Sequence, residues 1–108
     1  MPNRHRAVVE DMKIVDYLLN MQHQDGRGKA LFFLNLGFRS ESIAVFRKAL
    51  LTHAASHQVT KEVQTKFGTK YIIEGEIETP RQDKVIIRTV WMAALHTDIP
   101  KLVTAYPI

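Results

Sequence analysis

The chain has 108 residues, no cysteine and a formal net charge of +4, with 45% apolar and 24% charged residues. This size allows a single domain with its own core, and the composition argues against disorder. The lack of cysteine excludes disulfides and thiolate metal sites. No apolar run reaches the length of a membrane span and no signal-like segment is present, so we expect a cytoplasmic protein with no membrane contact. The basic charge is compatible with a polyanionic partner without requiring one.

The first half of the chain is predicted to hold a tail and three helices. Residues 1–10 are polar and basic, which is typical of a flexible tail. Helices are predicted over residues 11–21, 27–36 and 40–57. The second helix is apolar on nearly every side, so we expect it to be deeply packed, with Gly37 as its C-cap. Ser40 is a favourable N-cap for the third helix.

From Gln58 onward the apolar period changes from helical to alternating, which indicates β-strands. Strands are predicted over residues 58–67, 69–78, 84–95 and 101–106, with a tight turn at Gly68 and a longer turn at residues 79–83. We therefore predict a single α+β domain over residues 1–108, with three N-terminal helices packed on one face of a four-stranded, mainly antiparallel sheet. The residues expected to share its core are Phe33, Phe46, Leu50, Ile73, Ile87 and Trp91.

His53 and His57 are four residues apart on the third predicted helix, which is the spacing of two metal ligands on successive turns. The pattern lacks a third ligand, and both side chains fall on or beside the apolar stripe of the helix. Histidines near a helix C-terminus also interact favourably with the helix dipole. A structural role is favoured over a metal site, and we predict neither a metal nor a cofactor.

A second group of polar residues surrounds the break before the second helix. His23, Arg27 and Lys29 stand there with two glycines, Gly26 and Gly28, beside a helix N-terminus. The free N–H groups of a helix start can bind an anion, and histidine is suited to move protons near neutral pH. The segment is not a P-loop, because it lacks the preceding strand and the Lys-Ser/Thr ending. A Gly-rich connection with solvated charges is an equally compatible interpretation.

A third group lies in the sheet. Arg88 is a cation in the middle of the predicted central strand, and alternation puts it on the face opposite the apolar residues of that strand. The register can place Thr104 and Tyr106 on the same open face, where a guanidinium, a hydroxyl and a phenol could hold a phosphodiester. The alternative is a cross-strand pair between Arg88 and Glu74 or Glu76.

Several segments together resemble a small bacterial domain family of unassigned function, whose members occur alone and near bacterial toxin systems. These segments are Tyr17-Leu18-Leu19, His23-x-x-Gly26-x-x-Lys29-Ala30, Leu36-Gly37-Phe38, Phe67-Gly68-Thr69-Lys70-Tyr71, Arg88-Thr89-Val90-Trp91 and Pro100-x-Leu102-Val103-Thr104-Ala105-Tyr106-Pro107. The layout is also similar to the metal-independent ribonuclease superfold that includes barnase, EndoU and RelE. In that superfold the catalytic groups lie on the sheet face and in the preceding helices, although a fold alone does not determine a function.

The resemblance implies a toxin-type endoribonuclease that needs no metal. The implied site consists of His23, Arg88, Thr104 and Tyr106 as catalytic residues and Arg27 and Lys29 as phosphate-binding residues. His23 would be the acid or base, and His96, in a loop, is the candidate for a second histidine. The implied partners are RNA and a cognate antitoxin or immunity protein. The alternative is a non-catalytic interaction module, either a partner within a toxin system or a dimerising domain.

Overall fold

The four strands form one antiparallel sheet in which each strand pairs with the next along the chain. A computed structural model describes residues 1–108 and has strands β1 (Val59–Thr65), β2 (Gly68–Glu78), β3 (Lys84–Ala94) and β4 (Lys101–Pro107). The spatial order is β1-β2-β3-β4, and all three pairings are antiparallel. The predicted strands and their turns are therefore confirmed, and the long central strand is β3.

The helices precede the sheet, as an α+β domain of the predicted kind requires. Helix α1 (Asp11–Lys13) continues directly into a π-helical stretch (Ile14–Leu18), and α2 (Arg27–Asn35) and α3 (Ile43–Ser56) follow. None of the helices is long and apolar enough to cross a membrane. Gly37 has a φ of 100° and closes α2 as predicted, since a left-handed residue after a helix favours glycine. The predicted N-cap at Ser40 is wrong: residues Ser40–Ser42 form a 3₁₀ turn, and α3 begins after it.

The core lies between the helices and one face of the sheet. Alternate residues of β2 and β3, such as Ile73, Ile87 and Trp91, point to this face and are fully buried. Phe46 of α3 stacks on Phe38 with ring centroids 4.3 Å apart. All six residues predicted to share the core are buried in one cluster, so that prediction is confirmed. This face of the sheet is consequently closed, and the helices leave the opposite face open.

Helix α2 is less buried than its composition suggests. Only Ala30 and Phe33 are buried, while Leu31 is 50% exposed. The helix packs mainly on the π-helical stretch and on β4, and these neighbours leave Leu31 open to solvent. The prediction of deep packing on nearly every side is therefore wrong.

Part of the expected N-terminal tail is packed against the sheet. The Val8 N–H donates to the Pro100 carbonyl and the Leu102 N–H donates to the Val8 carbonyl, each over 2.9 Å. Val9 is 4% exposed and belongs to the core. The prediction of a flexible tail over residues 1–10 is thus incorrect for residues 8 and 9, because β4 offers a free edge and an apolar surface beside it.

An irregularity in β4 decides which of its side chains face the open side. Trp91 of β3 pairs with Leu102, whereas the residue before it, Val90, pairs with Thr104. Val103 is therefore an additional residue, and this β-bulge reverses the alternation. In a regular strand, residues 102 and 104 would face the same side of the sheet. Because of the bulge, Leu102 is buried against the helices while Thr104 points to the open face.

Candidate functional site

Six side chains from both layers of the fold meet on the open face of the sheet, beside the edge of β4. Two come from the helical layer and reach around that edge, and four come from β2, β3 and β4. We call them the polar cluster, and its members are Tyr17, Lys29, Glu74, Arg88, Thr104 and Tyr106. The strand members come together because Arg88 pairs directly with Glu74 on one side and with Tyr106 on the other. Residues directly opposite in an antiparallel ladder share a face.

Arg88 is the centre of the cluster. Its Nε–H donates to Glu74 Oε2 over 2.7 Å, its Nη2 group also contacts that carboxylate, and Nη1 donates to Tyr106 Oη over 3.3 Å. Hydrogen bonds to Tyr106 and Glu74 raise the pKa of Arg88 above its usual range. The cross-strand pair with Glu74 considered from the sequence is therefore present. A guanidinium carries five N–H donors, so two remain for a ligand, and the side chain is 35% exposed.

Tyr17 and Lys29 form the other end of the cluster. Lys29 Nζ donates to Tyr17 Oη over 2.5 Å, and Thr104 Oγ1 lies 3.0 Å from the same phenol oxygen. Lys29 also lies 5.8 Å from the ring centroid of Tyr106. Burial raises the pKa of Tyr17, but the hydrogen bonds of Lys29 and Thr104 and the nearby positive charges outweigh it, so the net shift is downward.

His23 touches the cluster through Tyr17. The two rings meet edge to face with centroids 4.9 Å apart. His23 Nδ1 accepts the backbone N–H groups of Asp25 and Gly26, at 3.1 and 3.0 Å. These bonds assign the proton of the neutral imidazole to Nε2, which is then a donor, and they occupy the lone pair that a general base would use.

The predicted site residues do not all lie together. Lys29, Arg88, Thr104 and Tyr106 belong to the polar cluster, and His23 borders it. Arg27 is exposed and lines a small pocket of about 360 Å³ with His23. His96 lies in the loop after β3, where it lines a different pocket with Asn3 and Thr97, and it is not part of the cluster.

Sequence reasoning missed Tyr17 as a site residue and treated Glu74 only as an ion-pair partner. Tyr17 lies within a segment that carries the family resemblance, which was the one available signal. Its orientation depends on the π-helical stretch, which shifts side chains away from the positions that a 3.6-residue period predicts.

His53 and His57 lie away from the cluster, between α3 and β2. His53 Nδ1–H donates to the Glu76 carbonyl over 3.1 Å, and His57 Nδ1–H donates to the His53 carbonyl over 2.8 Å. Burial lowers the pKa of His53, whose Nε2 is buried without a partner. No group of three or more His, Asp or Glu side chains is arranged to hold a metal ion. Both histidines line a groove of about 490 Å³ beside the end of β2.

The sequence was compared with models of known families. The model of the domain of unknown function DUF6883 matches residues 1–108. The chain belongs to this family. No curated protein sequence matches it.

Among solved structures, the DUF6883 domain is similar to a chain of the contact-dependent growth inhibition toxin–immunity protein complex from Klebsiella pneumoniae 342. The TM-score is 0.75 at 19% sequence identity, and the match covers 96% of this chain and 95% of the other. Similarity at this level of identity establishes a common fold and not a common activity.

Proposed function

We propose that the DUF6883 domain acts in a toxin system as an endoribonuclease that needs no metal ion. The observation that carries the proposal is the polar cluster, in which two cations, two phenols and a carboxylate converge on the open face of the sheet. The presence of a chain with the same fold in a toxin–immunity protein complex supports the toxin-system role. The cognate antitoxin or immunity protein would then be the protein partner.

Arg88 and Lys29 are suited to bind the scissile phosphate. The two unused N–H donors of Arg88 can bind two phosphate oxygens in the planar manner of guanidinium groups. The ring centroid of Tyr106 lies 5.5 Å from Arg88 Cζ and 5.8 Å from Lys29 Nζ, so both cations are within reach of cation–π attraction to the same ring. Arg27, exposed at the start of α2, would contact a neighbouring phosphate. Such charges stabilise the charge that develops on the phosphate in the transition state.

Proton transfer requires a base for the 2′-hydroxyl and an acid for the departing 5′-oxygen. Glu74 can serve as the base, because its carboxylate stands beside the phosphate-binding Arg88 and both Arg88 contacts are made to Oε2, which leaves Oε1 to accept the proton. Loss of the proton lets the 2′-oxygen attack phosphorus, and the products are a 2′,3′-cyclic phosphate and a 5′-hydroxyl. His23 would donate a hydrogen bond from Nε2 to the bound phosphate, and Thr104 would orient Tyr17.

The test is cleavage of diverse RNAs by purified protein in the presence of EDTA. We expect 2′,3′-cyclic phosphate ends and a rate that is unchanged by the chelator. Arg88→Ala should abolish cleavage, while Arg39→Ala, which removes an exposed cation elsewhere, should not. Expression of the wild type should inhibit bacterial growth, and expression of Arg88→Ala should be tolerated.

His23 needs a matched pair of variants, because its ring also caps the turn before α2. Asparagine keeps an acceptor for the Asp25 and Gly26 N–H groups but has no donor at the position of Nε2. Alanine removes both. If His23 contacts the phosphate, both variants lose activity by roughly a hundredfold or more, within the range known for proton-transfer and charge-stabilising groups. Full activity of His23→Asn would mean that His23 only accepts the N–H groups of the turn before α2 and does not contact the phosphate.

A non-catalytic interaction module is the second candidate. It is favoured by the ion pair of Arg88 with Glu74, which already occupies part of the guanidinium. In that case RNA would stay intact at all protein concentrations. The domain would instead dimerise or bind a toxin-system protein through its open sheet face, and Arg88→Ala would weaken that association.

A further inference from the structure

We infer that Tyr17 is the proton donor to the departing 5′-oxygen, held for that role by Lys29 and Thr104. This inference rests on the proposed ribonuclease function and adds a catalytic residue that the sequence did not indicate. It depends on where the phenol lies, on what surrounds its oxygen, and on how it is placed relative to Glu74.

The environment of the phenol oxygen suits a group that must release a proton. Lys29 Nζ donates to Oη over 2.5 Å, and the hydroxyl of Thr104 lies 3.0 Å away and can donate as well. Lys13 adds a second positive charge 5.3 Å from the ring centroid. Once the proton has left, the phenolate keeps two donors and two nearby cations. The downward shift of the Tyr17 pKa has the same cause and makes the phenol a better acid.

The position of Tyr17 also fits the geometry of the reaction. Glu74 is on β2, Arg88 on β3 and Tyr106 on β4, while Tyr17 and Lys29 lie beyond the edge of β4. The carboxylate and the phenol therefore stand on opposite sides of Arg88 and Tyr106. Attacking and leaving oxygens are roughly in line at phosphorus, so a base and an acid are needed on opposite sides.

The step balances with groups that are present. Glu74 takes the proton of the 2′-hydroxyl as the bond between the 2′-oxygen and phosphorus forms. The bond between phosphorus and the 5′-oxygen breaks, and its electron pair takes the proton of Tyr17 Oη. A protonated Glu74 and a Tyr17 phenolate remain, and exchange of one proton each with water restores both.

A substrate with an activated leaving group tests this assignment directly. A ribonucleoside 3′-(4-nitrophenyl phosphate) releases 4-nitrophenolate, which leaves without a proton. Tyr17→Phe should lose roughly a hundred- to ten-thousand-fold on a dinucleotide but only a few-fold on the activated ester. An equal loss on both substrates would overturn the inference, since it would mean that Tyr17 only binds or positions the phosphate. If the wild type cleaves neither substrate, the proposed function itself fails and the inference with it.

The dependence of the cleavage rate on pH is a second test, because it would not change if Tyr17 had only a structural role. A general acid must be protonated, so the wild-type rate should fall at high pH as Tyr17 ionises. Lys29→Met removes the donor and the charge that lower the pKa of Tyr17, and the falling limb should therefore move to higher pH. Tyr71→Phe, which alters a phenol on the closed face, should leave the limb in place. A limb at the same pH in Lys29→Met would contradict the assignment.

The phenol can also be titrated without any RNA. Ultraviolet absorbance of tyrosinate should show a first ionisation step in the wild type that is absent in Tyr17→Phe, because the pKa of Tyr17 is lowered while burial raises that of Tyr71. A first step that persists unchanged in Tyr17→Phe would overturn the inference even if the protein cleaves RNA.

Discussion

The imidazole of His57 lies directly on Gly75 of β2. A methyl group added to Gly75 would stand 2.6 Å from both Cγ and Nε2 of that ring, well inside van der Waals contact. His57 is in turn held in place by its hydrogen bond to the His53 carbonyl. The missing side chain at Gly75 is thus what lets the end of α3 approach the sheet.

Gly75→Ala should therefore destabilise the domain. We expect a loss of roughly 1–3 kcal/mol in the free energy of unfolding, which is typical of overpacking in a closely packed site. His57→Ala removes the ring, so the same substitution should cost little in that background. Chemical denaturation of the four proteins of this double-mutant cycle measures the coupling. Equal costs in both backgrounds would show that the ring is not the obstacle.

Phe46 is the centre of the helical side of the core. It is fully buried and contacts the rings of Phe33 and Phe38, with centroids 4.9 and 4.3 Å away. Phe46→Ala should lower the free energy of unfolding by about 3–5 kcal/mol. Leu31→Ala is the control, because Leu31 is 50% exposed and its truncation should cost far less. A loss below about 1 kcal/mol at Phe46 would contradict the burial on which this estimate depends.

The fold could be predicted because apolar residues recur with a helical period in the first half of the chain and alternate in the second half. Ile73 and Ile77 alternate with Glu74 and Glu76, and this alternation alone gives β2 a closed face and an open face. Arg88 could be singled out for the same reason, since a cation in a largely apolar strand must find a partner or a ligand. The exposure of Leu31 could not be predicted, because composition does not say how many neighbours surround a helix.

The grouping of residues in the polar cluster could be predicted only in part. The sequence singles out Lys29, Arg88, Thr104 and Tyr106 as candidate phosphate ligands, and the structure brings these four side chains together. Tyr17, which joins the helical layer to the sheet, was not, because a π-helical turn leaves no mark in a hydrophobic pattern. Local periodicity describes single elements, whereas the cluster depends on where α2 crosses the edge of β4.

The extra residue of the bulge, Val103, should be dispensable for the fold. Val103 is 38% exposed, so Val103→Ala should change the free energy of unfolding by less than about 1 kcal/mol. Deletion of Val103 makes Leu102 and Thr104 adjacent, and they already pair with the adjacent residues Trp91 and Val90. Regular alternation then keeps Leu102 in the core and Thr104 on the open face.

The deletion should therefore preserve both stability and activity, as Val103→Ala does. Thermal unfolding and RNA cleavage, measured on the wild type and on both variants, check this expectation. A deletion variant that loses cleavage, or whose free energy of unfolding falls by more than about 1 kcal/mol, would contradict it. That result would mean that the local bend of the bulge is itself needed to place Leu102 or Thr104.

Acid should destabilise the domain through His53. Burial lowers the pKa of this imidazole below its ordinary value of 6.5, and the neighbouring His57 lowers it further, while a hydrogen bond to the Glu76 carbonyl opposes both. The unfolded chain therefore binds a proton at His53 more readily than the folded domain does. Stability contributed by the neutral ring is present above pH 6.5 and is lost as the pH falls below it, by up to about 1.4 kcal/mol per pH unit for one proton.

His53→Asn isolates this contribution, because its amide can still donate to the Glu76 carbonyl but does not titrate. The variant loses packing and should be less stable at neutral pH, so the quantity to compare is the slope of stability against pH. We expect a shallower slope below pH 6.5 than in the wild type. His5→Gln, at an exposed position, should keep the wild-type slope. Equal slopes in all three proteins, measured by denaturant unfolding, would mean that His53 takes up its proton equally in the folded and unfolded states.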